Sequence, residues 1–207
     1  MTALQLEDLR YYSDTLHLRS GQRLALRFAE PDDADALQNY VRGLSQSSRY
    51  RRFLGAASEL PPSLLAGFTH AGEDDRFSVI AIASVDGVER IVAEARYALS
   101  GDQASVEFGL SVDDSWQGHG IGAALMRNLE CRAAALGATL LFGDALRSNE
   151  VMMSLARKSG FAFKASPGDW RLVRFEKQID AEPRDIPCAS WRIAAASRER
   201  PTAAVAN

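Results

Sequence analysis

The sequence predicts an α/β fold with a mixed sheet that is mostly antiparallel and contains one parallel β-α-β unit. Segments with alternating apolar residues, typical of half-buried strands, are separated by segments whose apolar residues recur at helical spacing. Short turns join three predicted strands at residues 77–85, 89–99 and 105–112, which indicates antiparallel neighbours. A helix at residues 120–136 and an apolar strand at 139–145 follow, and this order predicts a parallel pair with a right-handed crossover.

The remaining elements follow from local signals at their ends. Pro31, with two aspartates behind it, suits the first turn of a helix, and Ser148 is the expected N-cap of a later one. Gly137 and Gly160 are expected to end the helices that precede them. The predicted elements outside the parallel unit and the three antiparallel strands are strands at residues 22–28, 161–164 and 170–179, and helices at 31–44, 45–55, 61–68 and 148–159.

The sequence divides into one domain with an extension at each end. Residues 21–179 carry all of the strongly periodic segments and form the predicted domain. Residues 1–20 are predicted to be either a short helix that packs on the domain or a frayed arm. Residues 180–207 are rich in alanine, arginine and proline and lack periodicity, which predicts a flexible or loosely docked tail, with Trp191 as a residue that docks it.

Composition excludes several classes of protein. The 207 residues carry a net charge of −3, whereas a general nucleic-acid binder is usually basic. No apolar run reaches the roughly 18 residues of a membrane span, and the first residues do not resemble a signal peptide. Cys131 and Cys188 form no metal-like cluster and are not expected to be bridged. We therefore expect a cytoplasmic protein without a metal, a nucleic-acid partner or a membrane partner.

The most informative segment combines the strand at residues 105–112 with the glycine-rich loop at residues 117–122. One face of the strand is apolar and suits a core, whereas the other carries small residues and a single carboxylate, that of Glu107. The glycines let backbone N–H groups approach a ligand, and a helix N-terminus, which attracts anions, comes directly after them. This pattern indicates either a pyrophosphate-binding loop or a tight turn with incidental glycines.

Two motifs resolve this choice through a family resemblance. The spacing Gln117-x-x-Gly120-x-Gly122 resembles the (Arg/Gln)-x-x-Gly-x-(Gly/Ala) signature of the GNAT acyltransferase superfamily. The segment NEVMMSLARKSGF, which starts at Asn149, resembles the family's N-x-x-(A/M)…K-x-G-F helix. This segment, together with SSRYRRFLG and VEFGL, also looks like the acetyltransferase domain of Pat-type bacterial protein lysine acetyltransferases. The resemblance covers residues 22–179 and implies a GNAT fold.

The resemblance implies acetyl-CoA as co-substrate and assigns a set of binding residues. In the family, the loop binds the pyrophosphate of coenzyme A and the asparagine hydrogen-bonds the pantetheine arm. On the strand before the loop, backbone N–H groups near Leu110 to Val112 are expected to stabilise the charge that develops on the thioester oxygen. The expected coenzyme A-binding residues are Leu110, Ser111, Val112, Gln117, Gly118, His119, Gly120, Ile121, Gly122 and Asn149.

Few groups are needed for the implied chemistry. A protonated amine must lose a proton before it attacks a thioester, and we expect Glu107 to take it, directly or through a water. Partial burial would raise the pKa of this carboxylate toward a useful range. The family assigns its proposed base to the same position, and Glu94 on the neighbouring strand is the alternative. Many members carry a tyrosine as general acid where this chain has Ala156. We therefore assign that role to no residue.

The predicted function is acetyl-CoA-dependent N-acetylation of a primary amine, first of all a protein lysine, by direct attack. The alternatives are acetylation of a small amine, or a non-catalytic acyl-CoA-binding sensor, and the chain is expected to be a monomer or a homodimer. His119 is expected to act through its backbone, and Trp116 to shield the loop from water. The basic cluster of Arg49, Arg51 and Arg52 is expected either to attract an acidic protein partner or to be solvated.

Overall fold

A computed structural model describes residues 13–18, 20–70, 76–101, 104–179 and 188 of the chain. Eight strands form one sheet in the order β1-β2-β3-β4-β5-β6-β8-β7. The strands are β1 (Asp14–His17), β2 (Arg23–Phe28), β3 (Arg76–Val85), β4 (Val88–Leu99), β5 (Ser105–Val112), β6 (Leu140–Leu146), β7 (Ala162–Ala165) and β8 (Leu172–Gln178).

Five α-helices of the described residues cover this sheet. They are α1 (Ala34–Gly43), α2 (Gln46–Phe53), α3 (Pro62–Thr69), α4 (Ile121–Ala135) and α5 (Glu150–Lys158), and single 3₁₀ turns lie at Pro31–Asp33 and Asp114–Trp116. All neighbouring strands are antiparallel except β5 and β6, because α4 carries the chain back before β6 begins. The predicted fold class is therefore confirmed.

Two apolar cores lie on opposite faces of the sheet. On one face, α4 contributes Ile121 and Leu125, which are buried against residues such as Val106 of β5. On the other face, Leu37 of α1 and Phe68 of α3 are buried with residues of β3. Each fully buried side chain of this size stabilises the fold by roughly 1.5–3 kcal/mol. The sheet is thus held from both sides, and its strands can present side chains to a cleft without losing their positions.

Strand β5 is paired along its whole length with β4 but only at its start with β6. The parallel register joins β5 to β6 over residues 105–107 and 140–142, and no further pairs follow. At this point Gly143 is required, because a Cβ atom there would lie 2.8 Å from the carbonyl oxygen of Phe108 and 2.9 Å from the ring of Phe175. The second half of β5 therefore has one edge without a strand partner.

The structure corrects the prediction for residues 14–17, which form a strand rather than a helix or a frayed arm. Asp14 points inward, where its Oδ2 lies 3.0 Å from Nη2 of Arg132 and accepts a 2.8 Å hydrogen bond from Nδ2 of Asn128. Both partners are buried on α4. This polar anchor joins β1 to α4, and it depends on residues more than 100 positions away. Residues 1–12 lie outside the described residues.

The structure also corrects the prediction that the cysteines are unbridged. Cys131 on α4 and Cys188 form a disulfide across a sequence separation of 57 residues, and both are fully buried. Such a pairing depends on three-dimensional proximity and leaves no local pattern in the sequence. The cytoplasmic location rested partly on unpaired cysteines and stays a prediction without that support. Of the predicted tail, only residue 188 is described, so Trp191 lies outside the described residues.

Candidate functional site

A cleft of about 1040 Å³ opens where β5 and β6 stop pairing. It is bounded by the second half of β5, the glycine-rich loop, the start of α5 and the end of α2. Every residue predicted for the site lines this one cleft: Glu107, Leu110, Ser111, Val112, Gln117, Gly118, His119, Gly120, Ile121, Gly122 and Asn149. The fold thus brings together segments that are up to 42 positions apart in the sequence.

The unpaired edge of β5 presents main-chain groups to the cleft. The N–H group of Asp113 donates to the carbonyl of Val92 on β4 at 2.9 Å, and the antiparallel ladder alternates from there. The N–H and C=O groups of Leu110 and Val112 therefore face the open edge, whereas those of Ser111 face β4. One of these groups, the carbonyl of Val112, accepts a 3.1 Å hydrogen bond from Nε2 of Gln117.

The glycine-rich loop turns backbone N–H groups toward the cleft. Gly118 and Gly120 have φ angles of 79° and 86°, in the left-handed region that other residues rarely adopt. The first hydrogen bond of α4 runs from the N–H of Ala124 to the carbonyl of Gly120. The N–H groups between Gly120 and Ala124 therefore precede the helical ladder and remain available to an anion at the helix N-terminus.

Two further residues shape the walls beside this loop. Gly122 allows α4 to approach α5 closely, because a Cβ atom there would lie 3.1 Å from Cδ2 of Leu155. Asn149, not Ser148 as predicted, is the N-cap of α5, and its Oδ1 accepts from the N–H of Met152 at 3.2 Å. Its side-chain nitrogen forms no hydrogen bond within the described residues, so a donor is left at the cleft.

Glu107 stands in the cleft as a free carboxylate. It is exposed rather than partly buried, and it forms no hydrogen bond or ion pair with any residue that the structure describes. Glu107 does act electrostatically on Arg174. The pKa of Arg174 is raised, first by its hydrogen bond to Asp144 and, to a smaller extent, by the charge of Glu107. Glu107 is therefore available to a ligand in the cleft.

Glu94, the alternative base, is instead the centre of a buried network. Its Oε1 accepts hydrogen bonds from Nε of Arg52 at 2.5 Å and from Oγ of Ser111 at 2.6 Å, while its Oε2 lies 3.1 Å from Nη2 of Arg52. Burial alone would lower the pKa of Arg52, but the adjacent carboxylate outweighs burial and raises it. The hydroxyl of Tyr40 bonds Ser111 at 3.0 Å, and burial followed by the charge of Glu94 raises the pKa of Tyr40.

This network changes the interpretation of the basic cluster on α2. Arg52 is neither solvated nor available to an acidic partner, because Glu94 neutralises it inside the protein. Arg49 donates to the main-chain carbonyls of Arg42 and Leu44. Only Arg51 is exposed, and it lines the cleft. The cluster therefore mainly fixes α2 as a wall of the cleft.

The roles expected for His119 and Trp116 stay predictions, and the structure gives only their positions. The His119 side chain is exposed, and its ring centroid lies 6.4 Å from that of Trp116. Trp116 is half-buried and packs against the core beneath the loop. Asp114, in the same 3₁₀ turn, accepts hydrogen bonds from the N–H of Ser45 at 2.8 Å and from Oγ of Ser48 at 2.7 Å.

Sequence reasoning missed three residues that shape this cleft. Asp114 ties the start of α2 to the turn before the loop, and nothing in the local sequence indicates its partners. Arg76 and Arg96 line the cleft beside Glu107. Their positions follow from strand register, which alternation within each strand could have indicated once β3, β4 and β5 were aligned.

The described residues contain neither a candidate metal cluster nor a candidate membrane-spanning helix. Among the residues that the structure describes, no group of three or more histidine, cysteine, aspartate or glutamate side chains could hold a metal ion. Within the same ranges, no helix combines the length and apolar character needed to cross a membrane.

The family follows from the match to known proteins. Residues 44–161 match the family described as the acetyltransferase (GNAT) family. Since this covers more than half of the chain, the protein belongs to the GNAT family of acetyltransferases, and its reaction class is acyl-CoA-dependent N-acetyl transfer. Ala156, where many members carry a tyrosine, is fully buried on α5 and cannot serve as an acid.

Individual relatives agree with this family. The chain is 28% identical over 152 residues to acetyltransferase PA5475 of Pseudomonas aeruginosa, and the aligned region covers 73% of this chain and 82% of that protein. Its fold is similar to that of the GNAT domain of S. lividans PAT, with a TM-score of 0.73 and 24% identity. The alignment covers 81% of this chain and 97% of that domain. Spermidine N-acetyltransferase from Vibrio cholerae, solved with coenzyme A and spermine, gives a TM-score of 0.60, 14% identity and coverage of 75% and 95%.

Proposed function

We propose that this protein transfers an acetyl group from acetyl-CoA to a primary amine, most importantly that of a protein lysine. The observation that carries the proposal is the free carboxylate of Glu107, which lies in the same cleft as the unpaired edge of β5 and the glycine-rich loop. A carboxylate without an internal partner is suited to accept a proton from a substrate. The neighbouring Glu94 is already saturated by Arg52 and Ser111, which favours Glu107 over it.

The residues present fit coenzyme A. The pyrophosphate suits the N–H groups ahead of the first hydrogen bond of α4, where two glycines hold positive φ angles. The amides of the pantetheine arm suit the N–H and C=O groups of Leu110 and Val112, which have no strand partner on that edge. The side-chain nitrogen of Asn149 offers one more donor at the start of α5.

When bound, acetyl-CoA supplies an acyl thioester. Glu107 takes a proton from the acceptor ammonium, directly or through a water, and passes it to solvent. The neutral amine nitrogen then forms a bond to the acetyl carbon, the C–S bond breaks with its electron pair on sulfur, and the nitrogen loses its extra proton to solvent. The N–H of Leu110 or Val112 stabilises the negative charge on the oxygen during this attack. A thiolate with a pKa near that of free cysteine, about 8.5, leaves without an assigned acid.

A protein acceptor is supported by exposed aromatic side chains near the cleft. Tyr50 on α2 and Trp170 before β8 are 42% and 83% exposed. Neither lines the cleft itself, but Tyr50 is next to Arg51, which does. Exposed aromatic residues beside a cleft are typical of surfaces that bind polypeptides. The resemblance to Pat-type enzymes favours the same class of acceptor.

A small amine is the second candidate acceptor, because the related Vibrio cholerae enzyme is named for spermidine. The test is incubation of the purified protein with radiolabelled acetyl-CoA, once with lysate proteins and once with a panel of small amines. We expect labelled protein bands. A label confined to small amines would contradict the lysine proposal, and tight binding of acetyl-CoA without any transfer would indicate a sensor. The monomer or homodimer state and the cytoplasmic location stay predictions.

A further inference from the structure

Two arginines line the cleft near Glu107 without an ion-pair partner among the described residues. Arg76 on β3 and Arg96 on β4 both line the cleft. Neither forms an ion pair with any residue that the structure describes, whereas their neighbour Arg52 is neutralised by Glu94. Positive charge is therefore concentrated at this wall, and no carboxylate of the described ranges forms an ion pair with either arginine. An uncompensated charge in a binding cleft is a candidate determinant of ligand selection.

Strand register places these arginines on the same face as the proposed base. Arg76 is opposite Ala98, and Ala98 is in turn opposite Glu107, so this row crosses three strands. Arg96 is opposite Gly109, two residues after Glu107. Diagonal neighbours of this kind are about 7–8 Å apart, and strands two places apart are about 9.6 Å apart. One acceptor can therefore reach Glu107 and an arginine together.

Arg96 is held in position rather than free to move. Its Nη2 atom packs against Gly67 of α3, where an added Cβ atom would lie only 3.1 Å away, and its Cζ atom lies 4.5 Å from the centroid of the Phe68 ring. Burial lowers the pKa of Arg96, the charges of Arg76 and Arg52 lower it further, and the charge of Glu94 opposes them only in part. A bound anion would offset the repulsion between the arginines, since it adds opposite charge.

We propose that Arg76 and Arg96 form an anion subsite that selects acceptor lysines flanked by an acidic side chain. The acidic carboxylate binds the two guanidinium groups while the lysine amine reaches Glu107. This inference rests on the proposed function and specifies its substrate class. The same positive charge repels acceptors that are cationic along their whole length, such as polyamines. The subsite therefore favours lysines with an acidic neighbour and disfavours polycationic amines.

The test compares two peptides that differ only in the residues on either side of one lysine, glutamate in one and glutamine in the other. We expect the glutamate peptide to have a kcat/KM at least about 10-fold higher, mainly through a lower KM. Arg96→Gln and Arg76→Gln should reduce this preference to less than about 3-fold and leave the KM for acetyl-CoA unchanged. Arg96→Lys, which keeps the charge, should retain part of the preference.

The matched control is Arg90→Gln, an exposed arginine on the same strand that does not line the cleft and that should keep the full preference. Equal kcat/KM values for the two peptides, or a preference that survives both glutamine substitutions, would overturn the inference. The inference would also be overturned if a carboxylate favoured acetylation only in free lysine compared with lysine amide, while flanking glutamates had no effect in peptides. Failure to acetylate any peptide or amine would instead contradict the proposed function itself.

Discussion

Glu94 and Glu107 stand on neighbouring strands and face the same side of the sheet, but their surroundings differ completely. Glu94 is 1% exposed and accepts hydrogen bonds from Arg52 and Ser111. Glu107 is exposed to the cleft and forms no hydrogen bond or ion pair with the residues described. The same side chain therefore fixes the cleft wall in one place and is free for chemistry in the other. Its neighbours, rather than its type, decide its role.

Strand β5 shows the same contrast along its length. Val106 and Glu107 near its start pair with strands on both edges, whereas the residues that follow pair only with β4. The closed part contributes to stability, and the open part leaves polar main-chain groups available for a ligand. Substitutions in the closed region should therefore change the free energy of unfolding, and those in the open region should change binding or turnover. The predictions below run from the largest to the smallest effect on unfolding.

Glu94→Gln should destabilise the protein most. It leaves the buried guanidinium of Arg52 without its counter-charge, and breaking a buried ion pair in this way costs about 3–5 kcal/mol. Denaturant unfolding of the two proteins measures the difference. Glu59→Gln is the matched control, because Glu59 also pairs with an arginine, Arg42, but at the exposed surface, where such pairs contribute about 0–1 kcal/mol. Equal losses in both variants would contradict the structural role of the buried pair of Glu94 and Arg52.

Gly120→Ala should lower affinity for acetyl-CoA by about 10-fold or more while costing about 1–2 kcal/mol of stability. The strain of alanine at a φ angle of 86° favours a relaxed loop in which the N–H groups no longer converge on the pyrophosphate. Gly137→Ala, at the other end of α4, has a φ angle of 84° and equally open surroundings. Calorimetric titration should show weakened binding only for Gly120→Ala, and equal affinities would contradict the loop assignment.

Asp114→Asn should produce a small, pH-dependent loss of about 1 kcal/mol, because the site is exposed and solvent weakens its interactions. Burial alone would raise the pKa of Asp114, but hydrogen bonds from Ser45 and Ser48 outweigh burial and lower it below its ordinary value of 3.8. The stabilisation is therefore present above pH 3.8 and lost as the pH falls through the lower pKa of the folded state. Unfolding curves of the two proteins should differ at neutral pH and converge in acid, and a constant difference would contradict this.

Local motifs made most of the fold and the cofactor side of the site predictable. The loop glycines, Asn149 and the alternation around Glu107 each leave a signal within a few residues. Long-range pairings could not be predicted in the same way. The Cys131–Cys188 disulfide and the anchor between Asp14 and Arg132 join distant residues, so no sequence spacing indicates them.

The role of Glu94 was also hidden for this reason. Its partner Arg52 lies on a helix 42 residues earlier and reaches it only because Gly109 leaves space, since a Cβ atom there would be 2.8 Å from Nη1 of Arg52. The sequence alone therefore left two glutamates as candidates for the base. Strand register and burial separate them.

Glu107→Gln tests the central claim most directly. The substitution should change the free energy of unfolding by less than about 0.5 kcal/mol, as is usual for a surface residue. It should leave the Kd for acetyl-CoA nearly unchanged and lower kcat about 100-fold or more at neutral pH, because the amide cannot accept the proton. Initial rates with a lysine-containing acceptor, measured beside calorimetric titration, give both values. A variant that binds acetyl-CoA normally and keeps the kcat of the unsubstituted protein would contradict the account.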